Sequence, residues 1–206
     1  MPVSFDLFGT LLDVRDRPQP GDAIADSLLE FGVDVPADWS TAYRERHVSV
    51  EAGEELPIPE HVRGALRSRG VQVNETVAEN AVVSAFEPAV ETRPGAAAAV
   101  KAARRRGPVG ICSNCAVPGL VERALEESSL DRTTFDGIVS SVDIGYRKPD
   151  RRAFEAIAGE LGTPVEGLVH VGDDPHADGG IAAVGGRAIL LSDHDLQDVP
   201  TLLGDR

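Results

Sequence analysis

The fold is decided by one short stretch near the start of the chain, VSFDLFGTL at residues 3–11. Residues 3–7 are mostly apolar and predict a buried strand, with Asp6 at its end. Gly9 lets the backbone turn sharply and approach a ligand, and Thr10 supplies a hydroxyl at the same rim. Because ligands of open α/β sheets bind beyond the carboxyl ends of the strands, Asp6 is a candidate catalytic residue.

Four further apolar runs also predict buried strands, at residues 109–112, 137–140, 168–171 and 188–191. Helix-length segments lie between the later runs, at residues 96–106, 117–127 and 151–161. Strands that alternate with helices form βαβ units. The sequence therefore predicts an α/β fold, a Rossmann-like parallel sheet of five or more strands flanked by helices.

Residues 15–92 interrupt this alternation. They carry apolar residues at helical spacing, as in 23–31, but little strand signal. A simple crossover between strands does not need so many residues. We therefore expect a catalytic core of residues 1–14 and 93–206, with an all-helical cap inserted at 15–92.

The composition is strongly acidic, with a formal net charge of −14 over 206 residues. A phosphate backbone would repel such a surface, which argues against nucleic-acid partners. Of the 20 basic residues only Lys101 and Lys148 are lysines. A high-GC genome or a salt-rich cytoplasm would favour this bias, and we prefer the cytoplasm of an extreme halophile, since salt screens self-repulsion.

The sequence also predicts where the protein acts. No apolar run approaches the roughly 18 residues of a membrane span, and the strand-like N-terminus predicts no signal peptide. We expect a cytoplasmic protein without membrane association. A closing cap excludes polymers and water alike, which predicts a small-molecule substrate. Nothing in the sequence indicates the oligomeric state.

Polar residues follow two of the other predicted strands. Ser113 and Asn114 end the second strand and offer a hydroxyl and backbone N–H groups to an anion, although they are equally typical of a helix cap. Lys148 is a compact ammonium in an arginine-rich chain, and Pro149 restricts the loop that presents it. The alternative for Lys148 is a solvated surface side chain.

The fourth strand is followed by three carboxylates, Asp173, Asp174 and Asp178. At such close spacing they would repel one another. A hard divalent cation such as Mg²⁺ relieves that repulsion, so we favour a metal site over a solvated acidic loop. The chain has two cysteines, Cys112 and Cys115, which we interpret as small buried residues rather than as a redox pair.

The ordered set of Asp, Ser, Lys and an acidic cluster at four strand ends resembles the haloacid dehalogenase-like superfamily over essentially the whole chain. The stretch FDLFGTL at residues 5–11 is similar to its first motif and Ser113 to its second. Lys148 matches the third motif, and residues 172–178 match the fourth. The predicted cap position is that of the subfamily with a helical cap inserted after the first motif.

The resemblance implies a role for each of these residues. Asp6 would be the nucleophile, forming an aspartyl intermediate that water later hydrolyses, and Lys148 would neutralise charge. The residues implied to bind the phosphoryl group are Thr10, Ser113 and Asn114. The groups implied to hold Mg²⁺ are Asp6, the backbone carbonyl of Phe8, and Asp173, with support from Asp174 and Asp178.

Phe8 departs from the pattern of the family's phosphatases, which carry a proton-transferring Asp at that position. A metal-independent 2-haloacid dehalogenase is therefore an alternative, since that branch has an aromatic residue there. Arg44, in the segment YRER at residues 43–46, resembles its halide-binding residues, although a solvated helix face is the simpler interpretation. A non-catalytic relative that binds a phosphorylated metabolite or a protein is a further alternative.

The acidic fourth motif favours the phosphatase. Asp173 and Asp174 would repel a carboxylate substrate unless a cation lay between them. We therefore expect a Mg²⁺-dependent phosphatase that acts on a small phosphorylated metabolite.

Overall fold

The computed structural model describes residues 1–15, 19–86 and 89–204. Its strands are β1 (Val3–Phe5), β2 (Leu12–Val14), β3 (Val90–Thr92), β4 (Val109–Ser113), β5 (Gly137–Ser140), β6 (Val169–Gly172) and β7 (Arg187–Leu190). Five of them form one parallel sheet in the order β5-β4-β1-β6-β7, which confirms the predicted Rossmann-like fold. Strand β1 is central, so the chain that follows it emerges between the ends of β4 and β6.

The helices are α1 (Pro20–Glu30), α2 (Trp39–Arg44), α3 (Ile58–Ser68), α4 (Glu75–Ala85), α5 (Ala96–Arg104), α6 (Leu120–Glu127), α7 (Ser141–Ile144), α8 (Arg151–Glu160) and α9 (Val199–Gly204). Helix α6 begins three residues later than the sequence predicts. Pro118 and Gly119 precede it, and Gly119 takes a left-handed conformation at φ 66° that ends the loop and starts the helix. No helix in the described ranges is both long and apolar enough to cross a bilayer.

The sheet is covered on both faces. Side chains of successive strand residues point to opposite faces, so Ile111 and Cys112 of β4 join different apolar clusters. The face of Ile111 packs against α5 through Ala99 and Ala103, and the face of Cys112 packs against α8 through Phe154. Helices on both faces explain why the central strands are buried throughout.

Helices α1 to α4 lie between β2 and β3 in the chain. Helix α4 packs against α1 and α3, and α2 packs against α3. Apolar side chains of these helices, such as Ile24, Val62 and Val82, belong to the same cluster as Phe5 and Leu7 beside β1. The helical segment is thus anchored on the core next to Asp6.

The sequence prediction missed the short strands β2 and β3. Strand β3 lies within the range 15–92, which was predicted to be all-helical, and it pairs antiparallel with β2. Each strand has only three residues, too few for an alternating pattern to be recognised, and neither is fully buried. This ribbon joins the chain where it leaves the sheet to where it returns. The domain boundaries at 14/15 and 92/93 stay a prediction, and residues 16–18, 87–88 and 205–206 lie outside the described ranges.

Candidate active site

The side chain of Lys148 connects the ends of three strands. Its Nζ donates to Oδ1 of Asp6 at 2.8 Å, to Oδ1 of Asp178 at 2.6 Å and to the carbonyl oxygen of Cys112 at 2.6 Å. Lys148 and Asp178 are almost completely buried, and Asp6 retains only 7% of its surface. Such burial excludes the interpretation of Lys148 as a solvated surface side chain.

Burial and the charge of the partner have opposite effects on the pKa values of Asp6 and Lys148. Burial raises the pKa of Asp6 to about 6, against the attraction of Lys148, and the charges of Asp178 and Asp173 add to the rise. Burial by itself lowers the pKa of Lys148, but the neighbouring negative groups, Asp6 first, outweigh it and hold that pKa above its ordinary value. At neutral pH the Lys148 ammonium is therefore charged, and Asp6 is ionised although burial disfavours its negative charge.

Three carboxylates converge beside this ammonium. One oxygen from each of Asp6, Asp173 and Asp178 lies within 4.8 Å of the others. Three negative charges against the single charge of Lys148 leave an excess that a cation would relieve. Since hard oxygen ligands suit Mg²⁺, the donor set fits the ion that the sequence predicts.

Gly9 and Thr10, in the turn after β1, determine where the Asp173 side chain lies. Gly9 adopts φ +94°, and a Cβ there would lie 2.6 Å from Oδ2 of Asp173, so only glycine leaves room for that carboxylate. Thr10 is fully buried and donates its hydroxyl to Oδ1 of Asp173 at 2.9 Å. This placement favours Thr10 as a residue that orients Asp173 over one that contacts substrate.

Ser113 and Asn114, at the end of β4, have different surroundings. The Ser113 Oγ is buried and has no hydrogen-bond partner among the described residues, so it is free to bind an oxygen of a ligand. Asn114 is fully engaged with the backbone of Lys148: its Nδ2 donates to the Lys148 carbonyl at 2.9 Å, and its Oδ1 accepts from the Lys148 N–H at 2.8 Å. Asn114 thus positions Lys148.

The remaining predicted residues lie at the edge of this group. The Phe8 ring is partly buried and packs against the main apolar cluster. Asp174 is exposed, and its Oδ1 accepts from the N–H groups of His176 and Ala177, which shapes the loop after β6. Arg44 is exposed at the end of α2, and within the described residues its guanidinium makes no hydrogen bond or ion pair, with Asp6 or any other group.

Sequence analysis missed His170 and Ser4. His170 is fully buried in β6, where its Nδ1 lies 2.8 Å from the Ser4 Oγ and its Nε2 lies 3.0 Å from Oδ1 of Asp178. Burial and the charge of Lys148 lower the pKa of His170 to about 4, against its hydrogen bond to Asp178. The available signal was a polar residue inside each of two otherwise apolar strands.

Both cysteines are free and buried, in agreement with their interpretation as small core residues. Burial raises the pKa of Cys112 to about 12 and that of Cys115 to about 11. Neither thiol is therefore poised as a nucleophile at neutral pH.

Solved structures with similar folds include both phosphate-binding proteins and dehalogenases. The 2-haloacid dehalogenase from Pseudomonas syringae pv. Tomato DC3000 is 18% identical, with a TM-score of 0.66 over 98% of this chain and 97% of that chain. CbbY from Rhodobacter sphaeroides, in complex with phosphate, is 20% identical, with a TM-score of 0.63 over 92% and 84% of the two chains. A haloacid dehalogenase (HAD) family enzyme from Bacteroides thetaiotaomicron, in complex with magnesium and inorganic phosphate, is 15% identical, with a TM-score of 0.59 over 92% of each chain.

These likenesses are below 25% identity and establish the fold alone. No curated protein matches the sequence. A family model for haloacid dehalogenase-like hydrolases, however, matches residues 3–186, which include every residue of the site described above. The chain belongs to the haloacid dehalogenase-like hydrolases and is an enzyme of that family.

Proposed function

We propose that the protein is a Mg²⁺-dependent phosphatase that acts on a small phosphorylated metabolite, with Asp6 as its nucleophile. The observation that carries the proposal is the enclosed Asp6 carboxylate, bound by Lys148 on Oδ1 and adjacent to two further carboxylates. Within the described residues Asp6 Oδ2 has no hydrogen-bond donor, so that oxygen is available to attack. An anion with few hydrogen bonds is a stronger nucleophile than a fully solvated one.

Asp6, Asp173 and the carbonyl of Phe8 would hold the Mg²⁺ ion, with Asp174 and Asp178 in support. Bound there, Mg²⁺ would neutralise the carboxylates and the phosphoryl oxygens. Thr10 keeps Asp173 turned toward Asp6 through its hydrogen bond of 2.9 Å. The excess negative charge of the cluster supports this assignment.

The chain's own groups account for the two steps of the reaction. Asp6 Oδ2 attacks phosphorus, the bond to the leaving-group oxygen breaks, and an aspartyl phosphate forms. Lys148 compensates charge at Asp6, while the free Ser113 hydroxyl donates to a phosphoryl oxygen. Water then hydrolyses the aspartyl phosphate and restores the Asp6 carboxylate.

Phe8 restricts the substrates that this site can serve. Its ring packs in the apolar cluster and cannot transfer a proton to the departing oxygen. Substrates whose leaving group is stable without a proton, such as acyl phosphates and aryl phosphates, are therefore favoured over alkyl phosphates. The phosphate complexes of CbbY and of the Bacteroides enzyme support a phosphoryl ligand for this fold.

A 2-haloacid dehalogenase is the second candidate, favoured by Phe8 and by the Pseudomonas structure that spans 98% of this chain. A halide leaves without a proton, so Phe8 would be no handicap. Against it, the charges of Asp173 and Asp178 beside Asp6 would repel a carboxylate substrate. Arg44, the candidate halide ligand, makes no hydrogen bond or ion pair with Asp6 in the described part of the chain.

Hydrolysis assays separate the two candidates. Purified protein is incubated with p-nitrophenyl phosphate or acetyl phosphate in molar KCl, with Mg²⁺ or with EDTA, beside the isosteric variant Asp6→Asn. We expect phosphate release that needs both Mg²⁺ and Asp6. Release no greater than that of Asp6→Asn would exclude the phosphatase, and chloride release from L-2-chloropropionate in EDTA would establish the dehalogenase instead.

We also propose that the protein works in the cytoplasm of an extreme halophile, on the basis of the net charge of −14. Screening of that charge should raise stability as KCl increases from 0.1 M to 2 M. Thermal unfolding at several KCl concentrations tests this, and a melting temperature that falls with KCl would contradict it.

A further inference from the structure

A line of buried polar side chains runs behind the candidate active site. Ser4, His170, Asp178 and Lys148 each expose 2% of their surface or less. Ser4 of β1 and His170 of β6 are direct partners in the parallel register of the sheet. Polar groups placed so deeply need every hydrogen bond satisfied, and together they specify one arrangement of the core.

The hydrogen bonds of Lys148 fix which nitrogen of His170 carries the proton. The ammonium has three N–H donors, and Asp6, Asp178 and Cys112 accept all three. None is left for His170 Nε2, which lies 3.5 Å away. That nitrogen must therefore be the donor, and Oδ1 of Asp178, at 3.0 Å, is its acceptor.

Ser4 completes this arrangement. With the proton on Nε2, Nδ1 of His170 is an acceptor, and the Ser4 hydroxyl donates to it at 2.8 Å. The imidazole also packs edge-on to the Phe154 ring, with centroids 5.6 Å apart and the planes at 73°. Ser4 of β1, Asp178 and Phe154 of α8 thus determine both the position of the ring and its tautomer.

Asp178 is held on both of its carboxylate oxygens. Oδ1 accepts from Lys148 and from His170, and Oδ2 accepts from the backbone N–H of Asp174 at 2.9 Å. The backbone also makes room for it: a Cβ at Gly172 would lie 2.1 Å from Asp178. Without the donation from His170, Lys148 would be the only side-chain donor to Oδ1 among the described residues.

We propose that His170, hydrogen-bonded on its other nitrogen by Ser4, is a positioning residue that keeps Asp178, and through it Lys148, in the geometry that Asp6 requires. The inference rests on the proposed function, because it assigns His170 a role in activity. His170 does not touch Asp6 or a substrate. It acts through the carboxylate that shares the Lys148 ammonium.

Two matched substitutions separate this role from a purely structural one. The amide of Gln reaches about as far as His Nε2, and the amide of Asn about as far as Nδ1. His170→Gln can therefore still donate to Asp178, whereas His170→Asn can pair only with Ser4. Both variants place an uncharged amide in the same buried position, so a structural penalty should affect both.

The assay measures kcat and KM for p-nitrophenyl phosphate with Mg²⁺, together with the melting temperature of each variant. Since loss of an orienting hydrogen bond typically lowers activity 10- to 100-fold, we expect kcat to fall by about that factor in His170→Asn and by less than about threefold in His170→Gln, with KM nearly unchanged. Equal losses in both variants, no loss in either, or a change confined to KM would each overturn the proposal.

A second measurement does not depend on activity. In ¹⁵N-labelled wild-type protein at pH 7, the ring nitrogens of His170, identified by their loss in His170→Gln, should show the Nε2-protonated tautomer. Ser4→Ala should keep this tautomer, because Asp178 still accepts from Nε2, and a mixture of tautomers in that variant would contradict the inference. A Nδ1-protonated or doubly protonated ring in the wild type would refute the inference. If the wild type is no more active than Asp6→Asn but His170 shows the Nε2-protonated tautomer, only the proposed function is refuted.

Discussion

Asp6→Asn should stabilise the folded protein while it abolishes activity. Burial raises the pKa of Asp6 to about 6, which means that ionised Asp6 destabilises the fold. Asn is isosteric with the protonated carboxyl and carries no charge. Asp6→Asn should therefore increase the free energy of unfolding, because the variant has no buried negative charge at this position.

The magnitude follows from the two pKa values. With about 6 in the folded chain and 3.8 in the unfolded chain, ionisation of Asp6 destabilises the fold by about 3 kcal/mol at pH 8. At pH 4.5 the cost is only about 1 kcal/mol, because the folded-state carboxyl is still protonated. A group with a raised pKa contributes most stability below its unfolded pKa and loses it as pH rises through its folded pKa. The advantage of Asp6→Asn should therefore grow between pH 4.5 and pH 8.

Urea unfolding in molar KCl and EDTA measures this, with the wild type, Asp6→Asn and the exposed control Asp34→Asn compared at both pH values. We expect Asp6→Asn to gain about 2 kcal/mol more at pH 8 than at pH 4.5. Asp34→Asn is the control for the loss of one exposed negative charge. Added Mg²⁺ should stabilise the wild type more than Asp6→Asn, because the variant lacks a charged ligand. If Asp6→Asn is no more stable than wild type at pH 8, or its gain is equal at both pH values, Asp6 is not the destabilised anion described above.

Three further substitutions test separate parts of the site. Ser113→Ala should weaken competitive inhibition by inorganic phosphate about tenfold, since one hydrogen bond to a charged oxygen is lost, and an unchanged inhibition constant would show that its free hydroxyl does not bind phosphate. Gly9→Ala should raise the Mg²⁺ concentration needed for half-maximal activity, because its Cβ would displace Asp173; Gly32→Ala is the matched control, with φ +72° and no atom within 4 Å, and equal effects in both would assign the loss to backbone strain. Phe8→Asp should accelerate hydrolysis of alkyl phosphates by about 100-fold or more while p-nitrophenyl phosphate changes far less; an unchanged ratio of the two rates would reveal another proton donor.

The sequence predicted correctly those elements whose local pattern of residues is compatible with one structure only. A buried strand that ends in Asp6, followed by glycine and a hydroxyl, pointed to the carboxyl edge of a parallel sheet, and β1 does lie at the centre of that sheet. The strands β2 and β3 were not predicted, because three residues are too few to show the alternating pattern of a strand. The start of α6 was placed too early, because apolar spacing continued across Pro118 and Gly119.

Sequence alone determined the fold class and the inventory of reactive groups. Alternating apolar strands and helices permit few topologies, and Asp6, Lys148 and Asp173 stand at strand ends in any parallel arrangement. Tertiary structure alone decided how those groups share their hydrogen bonds. It turned Asn114 toward the backbone of Lys148 and left the Ser113 hydroxyl free. It also brought His170 to Asp178, because contacts between distant residues depend on strand register and burial, which no local pattern encodes.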